Sequence, residues 1–378
     1  MLSREVMQGI PRGDKKSYFL FDCGAFIIPY LKYNLYTFNR INITPFVKLL
    51  ETYFYLTAHA RDYRCFFFID NGVPEKIEAM YAAYKGNRKH SKHRSESKII
   101  SRNILNTNEY VTNRTLITQF FTYMGEGVFY YNEADYQLGY VLKKMIEQHH
   151  LNGEQCYVIS HDKDLMALIG HSNCIRRLIQ TKEKYTKFWL FPKGSYDQYF
   201  ASVNEKDVVK DAPVYSYNEF VVMKALCGDK GDNILAPIMV TEGFVKKLFK
   251  EYKFNYGYYE LDMEKAFEII KEKLINKKVK KNDTSETKEL IEQRLAFEFR
   301  RNYLIFDVYN CEQLFKPVDR RFMDVVLENV LSNNIKRNYQ GALEVLKRVS
   351  HSHADIFSTW FADMRKWHEN KNRASGSS

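Results

Sequence analysis

The sequence predicts an α/β fold in which helices flank a parallel sheet. Between residues 17 and about 205, apolar runs typical of strands alternate with stretches of helical spacing, and acidic residues directly follow three of those runs. Strand, helix and strand at this spacing indicate a parallel, doubly wound sheet. From Tyr217 onward the strand pattern fades and helical periodicity dominates. A second, helical part is therefore expected after the sheet.

Individual elements follow from the same patterns. Four buried strands are predicted from short apolar runs: Ser17–Phe21, Cys65–Ile69, Cys156–Ser160 and Lys187–Phe191. Apolar residues at helical spacing predict four helices: Ile43–Leu56, Asp135–Met145, Phe244–Tyr252 and about 336–349. We expect a polar N-terminal extension (1–16), a core (17–205) with a basic insertion at about 84–115, a helical module (206–330) and a C-terminal helical segment with a disordered tail (331–378).

Composition restricts the class of protein. A chain of 378 residues with 45% hydrophobic residues can bury a large core and a second module. No stretch approaches the roughly 18–20 apolar residues that cross a bilayer, and the N-terminus lacks the apolar core of a signal peptide. The six cysteines form no CxxC pair, which is typical of reduced core residues. We expect a cytoplasmic monomer with no membrane partner.

The net charge of +11 favours a polyanionic partner. A basic protein with ordinary solvated lysines would have the same charge, so charge alone does not decide. The Lys-, Asn-, Tyr- and Phe-rich composition is typical of AT-rich phage genomes, which favours a viral origin.

Acidic residues recur in a fixed order, and they predict a metal site. Eight of them form the candidate ligand set: Asp22, Asp70, Glu133, Asp135, Asp162, Asp164, Asp229 and Asp232. Carboxylates that follow parallel strands meet at the carboxyl edge of the sheet, where they repel one another unless cations lie between them. Oxygen ligands without Cys or His favour Mg²⁺ or Mn²⁺ over Zn²⁺. Any one pair could be a solvated cap or turn, but five such signatures together favour metal binding.

A basic stretch lies between the second and third acidic signatures. Its cations are Lys85, Arg88, Lys89, Lys92, Arg94, Lys98 and Arg102, and its one acid is Glu96. Such a cluster is typical of phosphate contacts, and the preceding Tyr81 and Tyr84 could stack on an unpaired base. The alternative for the part beyond Lys89 is a disordered, solvated loop.

Three motifs carry a resemblance to a known family: Tyr84–Arg88 (YKGNR), Glu133–Asp135 (EAD) and Met223–Ile234 (MKALCGDKGDNI). The order of these motifs and the residues within them resemble those of the structure-specific 5′ nucleases. That family includes flap endonucleases, phage 5′–3′ exonucleases and the T-even phage ribonuclease H. The resemblance covers about residues 18–237 and extends weakly to about 329. It implies a PIN-like parallel sheet with a basic helical arch and a C-terminal helical DNA-binding module.

The resemblance also implies residue roles. One metal site would comprise Asp22, Asp70, Glu133, Asp135 and Asp162, and the other Asp164, Asp229 and Asp232. Asp22, Lys85 and Arg88 would be catalytic, with the two cations gripping the scissile phosphate below an arch that a free 5′ strand threads. Two Mg²⁺ ions, for which Mn²⁺ can substitute, would activate water and stabilise the leaving oxygen.

The implied substrates are DNA with a 5′ flap or 5′ end and RNA–DNA hybrids, cleaved in primer and flap removal during replication. The sequence leaves open the balance of exonuclease and flap-endonuclease activity. A single-strand-binding protein and a sliding clamp are candidate partners.

Two positions depart from the family pattern. Tyr136 stands where a further Asp is frequent, so we expect altered hydration of the second metal. The segment after Asp232 has only Gly243 where many relatives have a glycine-rich hairpin, which weakens the expectation of a potassium site. Duplex binding by Lys246, Lys247 and Lys250 remains plausible, but an ordinary solvated helix face explains these lysines equally well.

Other functions stay open from the sequence. A PIN-class single-strand endoribonuclease has a similar acidic cluster, although those domains are usually smaller and lack the YKGNR motif. A non-catalytic nucleic-acid-binding protein with this fold would gain nothing from eight carboxylates that repel phosphate. For residues after Leu331, a protein-docking helix pair and a cap on the helical module are both open.

Overall fold

A parallel sheet forms the centre of the protein. The computed structural model describes residues 16–34, 41–60, 62–85, 107–162, 164–180, 185–196, 216–237, 241–256, 288–332 and 335–349, with isolated positions between 268 and 366. Within them the sheet comprises β1 (Ser17–Asp22), β2 (Tyr63–Phe68), β3 (Gly127–Phe129), β4 (Cys156–Ser160), β5 (Asn173–Gln180) and β6 (Tyr185–Phe191). The spatial order is β3-β2-β1-β4-β5-β6.

The direction of the strands brings the predicted acids to one edge. The first five strands in this order pair in parallel, and β6 pairs with β5 in the antiparallel direction. β1 lies between β2 and β4, with Phe21 paired to Phe67 on one side and to Ile159 on the other. The chain segments after β1, β2, β3 and β4 therefore leave the same edge of the sheet, as the sequence predicts.

Helices cover both faces of the sheet. They are α1 (Gly24–Asn34), α2 (Thr44–Ala60), α3 (Glu75–Met80), α4 (Asn108–Tyr123), α5 (Ala134–Glu147), α6 (Tyr217–Cys227), α7 (Glu242–Tyr256), α8 (Lys288–Phe306), α9 (Pro317–Leu331) and α10 (Tyr339–Val349). Side chains alternate across β1: Phe19 and Phe21 pack against α1, α2 and α4, while Leu20 packs against α5 on the opposite face. Both faces of the central strand are thus buried, which explains its uninterrupted apolar sequence.

All the predicted elements are present, but two strands and six of the described helices were not predicted individually. The four predicted strands and the four predicted helices are present, with their ends shifted by a few residues. β3 was not predicted because it has only three residues. β5 was not predicted because Arg176 and Arg177 interrupt its apolar pattern. The α/β fold class with a mostly parallel, helix-flanked sheet is confirmed, and the domain boundaries stay a prediction.

The C-terminal segment returns to the sheet domain. α10 packs on α4, and Asn338 N donates to Tyr123 O at 2.7 Å. Of the two roles left open for this segment, a cap on the helical module is not favoured, because the apolar face of α10 is buried against the helix that flanks β2 and β3. In the part of the chain that the structure describes, no helix has the length and apolarity that crossing a membrane requires.

A buried imidazole joins the sheet domain to the helices that follow. The His171 ring stacks on Tyr309 with a centroid distance of 3.6 Å and an interplanar angle of 2°. Burial, together with the charges of Lys193 and Lys143, lowers the pKa of His171 to about 4. The folded protein therefore holds His171 neutral under conditions in which the unfolded chain takes up a proton.

This shift predicts a loss of stability in mild acid. The pKa of His171 is about 4 in the folded protein, whereas an exposed histidine of the unfolded chain has a pKa of about 6.5. As the pH falls below about 6.5, the unfolded state therefore binds a proton that the folded state does not bind. Between pH 7.5 and pH 5 the free energy of unfolding should fall by about 2 kcal/mol more in the wild type than in His171→Phe, which keeps an aromatic ring against Tyr309. Urea denaturation at both pH values measures this difference, and equal pH dependence in the two proteins would contradict it.

Candidate metal centre and nucleic-acid interface

Adjacent central strands place the first acids side by side. Asp22 ends β1, and Ser160 at the end of β4 donates its hydroxyl to Asp22 Oδ2 at 2.5 Å. The same hydroxyl oxygen accepts the Asp162 backbone N–H at 2.9 Å. Because β1 and β4 pair directly, one serine hydroxyl joins the acid of one strand to the acid that follows the other. The turn after β4 is thereby held close to Asp22.

Asp70 joins this group from the far side of β1. It follows β2, and its Oδ1 accepts the Ala134 N–H at the start of α5 at 2.8 Å, where the helix dipole favours an anion. A Cβ placed on Gly24 would lie 3.0 Å from Asp22 Oδ1 and 3.4 Å from Asp70 Oδ2. Two carboxylates from neighbouring strands thus flank one small residue, which leaves room beside their oxygens.

Electrostatics show how close the acids of the first group lie. Burial raises the pKa of Asp22, and the charges of Asp70 and Asp162 raise it further. Burial also raises the pKa of Asp135 well above its usual range, with added repulsion from Asp162, Asp22 and Asp70. These carboxylates therefore share one region of strongly negative potential, which a bound cation would relieve.

Glu133 forms an ion pair with a lysine of the YKGNR motif. Lys85 Nζ lies 2.5 Å from Glu133 Oε1, and the Tyr84 hydroxyl donates to Glu133 Oε2 at 3.0 Å. Burial raises the pKa of Glu133, and Lys85 opposes that shift. The first two residues of the YKGNR motif therefore lie inside the acidic cluster, as the family resemblance implies.

A second group of acids surrounds Lys224. This buried lysine projects from α6, and its Nζ lies 2.6 Å from Asp229 Oδ2 and 3.2 Å from Asp164 Oδ1. Asp164 is linked in turn to the first group, because its backbone N–H donates to Asp162 Oδ1 at 2.8 Å. The two groups of acids are therefore continuous through the turn after β4.

Asp229 and Asp232 lie in a tight loop that follows α6. α6 ends at Gly228, whose φ of +67° turns the chain, and a Cβ there would lie 2.4 Å from Ile234 O. Asp229 and Ile234 then exchange both backbone hydrogen bonds. In this loop the Asp229 carboxylate contacts Lys224. Asp232 lies near Tyr84: burial raises the pKa of the Tyr84 phenol most, and the charges of Glu133 and Asp232 raise it further.

The loop that carries Asp232 also holds the base of the basic segment. Lys85 N donates to Asp232 O at 2.7 Å, the Tyr81 hydroxyl donates to Asn233 O at 2.9 Å, and Asn233 Nδ2 donates to Ala83 O at 2.7 Å. Lys85 and Asn233 have φ values of +52° and +60°, a conformation that side-chain-bearing residues rarely adopt. These reciprocal bonds offset that strain and position the Lys85 ammonium.

The donor set fits divalent cations that prefer oxygen. All eight candidates are carboxylates, and five of them share the negative region around Asp22. Among the residues that the structure describes, no three acidic, histidine or cysteine side chains converge on one point as a ready-made metal site. The lysine and serine contacts described above account for several of the carboxylate oxygens. Before a metal ion could bind these oxygens, Lys85 and Lys224 would have to break some of their contacts with them.

Other predicted binding residues are only partly described. Arg88, Lys89, Lys92 and Arg94 lie outside the described residues. Lys247 and Lys250 are exposed on α7, and Lys246 forms an ion pair with Glu242 at 3.8 Å. Because α7 packs on α6, these lysines belong to the helical part that also carries Lys224. Their role in duplex binding stays a prediction.

The structure adds two residues to the site and locates a third. Ser160 and Lys224 organise the carboxylates, yet neither was singled out from the sequence. Lys224 had a usable signal, since it is the one charged residue in the apolar run Phe220–Leu226. Tyr136 is 2% exposed and donates its hydroxyl to Ile305 O at 2.7 Å. Burial raises the pKa of Tyr136, and the nearby Tyr84 and Glu133 raise it further, so its expected effect on metal hydration stays a prediction.

The sheet order, the flanking helices and the acidic edge define a PIN-like α/β fold. A bacteriophage T5 5′-exonuclease with bound zinc superimposes with a TM-score of 0.55 at 16% identity, over 85% of this chain and 100% of that one. A T5 protein co-crystallised with metal ions superimposes with a TM-score of 0.55 at 16% identity, over 83% of this chain and 99% of that one. The T5 flap endonuclease in a pseudo-enzyme–product complex with DNA and metal ions superimposes with a TM-score of 0.51 at 16% identity, over 84% of this chain and 100% of that one.

These similarities show that the chain shares the fold of the T5 nucleases, and the PIN-like, mostly parallel sheet that the sequence resemblance implied is confirmed. No model of a known family matches the sequence, and no curated protein matches it.

Proposed function

We propose that this protein is a metal-dependent 5′–3′ exonuclease and flap endonuclease, which hydrolyses DNA or RNA–DNA phosphodiesters near a 5′ end. The observation that carries the proposal is the position of Lys85. Its ammonium is held inside a cluster of buried carboxylates at the carboxyl edge of a parallel sheet. Acids that bind cations, together with a lysine that faces them, are the parts that phosphodiester hydrolysis requires.

The acids have distinct tasks in this proposal. Asp22, Asp70, Glu133, Asp135 and Asp162 would hold one Mg²⁺ ion, and Asp164, Asp229 and Asp232 would contribute to a second, with Mn²⁺ as a substitute. When bound, the ions supply an activated nucleophile and stabilisation of the leaving oxygen. Ser160 orients Asp22 and Asp162, and Ala134 N–H orients Asp70.

The cations position the substrate. Lys85 is the described cation nearest to the first group of acids, so a phosphate that reaches this group would meet its ammonium and lose part of its negative charge there. The hydrogen bonds from Lys85 N to Asp232 and from Asn233 to Ala83 keep that ammonium in place. Arg88 and the following basic residues would grip the 5′ strand. Lys246, Lys247 and Lys250 would contact the duplex backbone.

The similar structures support this proposal. The T5 proteins that share the fold were solved with zinc, with metal ions, and with DNA and metal ions. A role in primer and flap removal during phage DNA replication is consistent with the same relatives and with the composition of the chain.

The proposal is tested with a 5′-flap duplex that is labelled at its 3′ end. We expect cleavage near the junction with Mg²⁺, none with EDTA, and loss of cleavage in Asp162→Asn, which keeps the fold but removes a charge from the acidic cluster. The product ladder reports the ratio of exonucleolytic to endonucleolytic cuts. Binding of the flap without cleavage, unchanged by Mn²⁺ or by the substitution, would overturn the nuclease and leave a nucleic-acid-binding protein. Cleavage of single-stranded RNA alone would instead favour an endoribonuclease.

A further inference from the structure

An exposed stack of three aromatic rings lies beside the acidic edge. Tyr130 and Tyr131 follow β3 directly, and their rings are 5.5 Å apart at an interplanar angle of 8°. Tyr131 also stacks on Phe322 of α9 at 6.1 Å and 7°. Tyr130 is 46% exposed and Phe322 is 54% exposed, so both ends of the stack are open. We call these three residues the aromatic ladder.

The ladder is rigid on the protein side. Tyr131 N donates to Gln137 Oε1 at 2.9 Å, and the buried Gln137 amide donates in turn to Ile69 O and Asn132 O. Met323, next to Phe322, is fully buried and anchors α9. Ring faces held in place in this way lose little conformational entropy when a flat ligand stacks on them.

A basic pocket is lined in part by the same helix, and one of its residues, Arg321, directly precedes Phe322 of the ladder. This open cavity of about 260 Å³ is lined by Tyr140, Lys144, Pro317, Arg320, Arg321 and Asp324. The Tyr140 hydroxyl already donates to the one acid, Asp324, at 2.7 Å, and Lys144 lies 4.0 Å from it. Arg320 Nε is buried and has no hydrogen-bond partner among the described residues. The pocket therefore has an excess of cationic donors and is suited to an anion.

The position of the ladder indicates which ligand it takes. Tyr130 lies three residues before Glu133, so at most ~10 Å of chain separates the ladder from the acidic cluster. Every nucleobase has a π-face that can stack on an aromatic ring, and arginine donors beside it suit the attached phosphate. A protein partner would use the apolar side chains of α9, but it would leave the cations of the pocket unmatched.

We propose that the ladder and the basic pocket form a binding site for an unpaired nucleotide, with the base stacked on Tyr130 or Phe322 and its phosphate against Arg320 and Arg321. The inference rests on the proposed nuclease function, because it assigns the site to the single strand next to the cleavage centre. It gives the protein a way to recognise unpaired nucleotides that does not depend on the basic insertion.

The test compares two labelled DNA ligands in EDTA, so that binding is measured without cleavage. One is a duplex with a short single-stranded 5′ extension, and the other is the same duplex with blunt ends. Phe322→Ala and Tyr130→Ala should each weaken binding of the extended duplex about five- to tenfold and leave the blunt duplex unchanged. Arg321→Ala should weaken binding of the extended duplex and reduce the slope of log binding constant against log salt concentration by about one.

Matched controls are available on other helices. Phe297→Ala removes a 67% exposed ring from α8, and Arg348→Ala removes an exposed arginine from α10; both should bind the extended duplex as the wild type does. A 2-aminopurine base in the extension should be quenched by the wild type and remain bright with Phe322→Ala. Circular dichroism confirms that each variant is folded. Tyr130 lies at the opposite end of the ladder from α9, so its substitution tests the site without disturbing that helix.

The outcomes separate this inference from the proposed function. If the wild type cleaves a flap in Mg²⁺ but the ladder variants bind like the wild type, the nucleotide site is refuted and the nuclease stands, which would leave a protein partner as the occupant. If binding requires Phe322 but no cleavage occurs, the nucleotide site stands and the nuclease is refuted. Equal losses on both duplexes would also refute a site for unpaired nucleotides.

Discussion

Replacing Lys85 with alanine is expected to slow cleavage of a 5′ flap by about 10²–10³-fold, the effect typical of removing one preorganised donor from a hydrolytic site. The ammonium lies 2.5 Å from Glu133, and the Asp232 loop holds its backbone. Because this placement precedes substrate binding, a phosphate at the acids gains the charge interaction without reorganisation. The measurement is a single-turnover rate with saturating enzyme and Mg²⁺, which separates chemistry from binding.

Two further variants interpret that result. Lys85→Arg keeps the charge but changes its geometry, so it should restore part of the rate. Lys347→Ala removes an exposed lysine of α10, whose partner is Glu344 on the same helix, and should cleave like the wild type. A Lys85→Ala protein that cleaves at the wild-type rate would show that the ammonium plays no part in the chemistry. A loss confined to affinity would assign Lys85 to binding alone.

The acids that follow strands were predictable because their positions depend on local rules. Asp22, Asp70 and Asp162 each come after an apolar run, and parallel strands carry such residues to one edge. The structure places them together through the pairing of β1 with β2 and β4. In such cases the sequence period and the topology rule are sufficient, and no side-chain contact needs to be known.

The cationic partners were harder to predict because they depend on tertiary contacts. Lys224 is five residues before Asp229 along the chain, but its contact with Asp164 needs α6 to pack beside the turn after β4. The sequence predicts Ser160 only as the last residue of a strand. Its hydroxyl reaches Asp22 because of the register in which β1 pairs with β4. Sequence patterns report which face a residue occupies, but they do not report which residue of another element it meets.

Replacing Glu126 with alanine is expected to lower the free energy of unfolding by about 3–5 kcal/mol, the cost of removing one partner from a buried ionic group. Glu126 is 5% exposed and accepts hydrogen bonds from Tyr53 OH and Cys65 N, each at 3.0 Å. Burial lowers the pKa of Arg337, but the opposite charge of Glu126 gives a net upward shift, so the two charges attract each other. Urea denaturation at pH 7.5 measures the change.

The same carboxylate ties the C-terminal segment to the sheet. Arg337 belongs to the chain that leads into α10, and α10 covers α4. In a double-mutant cycle, Glu126→Gln and Arg337→Met should therefore lose less together than the sum of the single losses. Glu344→Ala, at an exposed position of α10, should change stability by less than about 0.5 kcal/mol. Additive losses at Glu126 and Arg337 would mean that the segment is held by apolar packing on α4 alone, and the interaction between Glu126 and Arg337 would then contribute nothing specific to the position of α10.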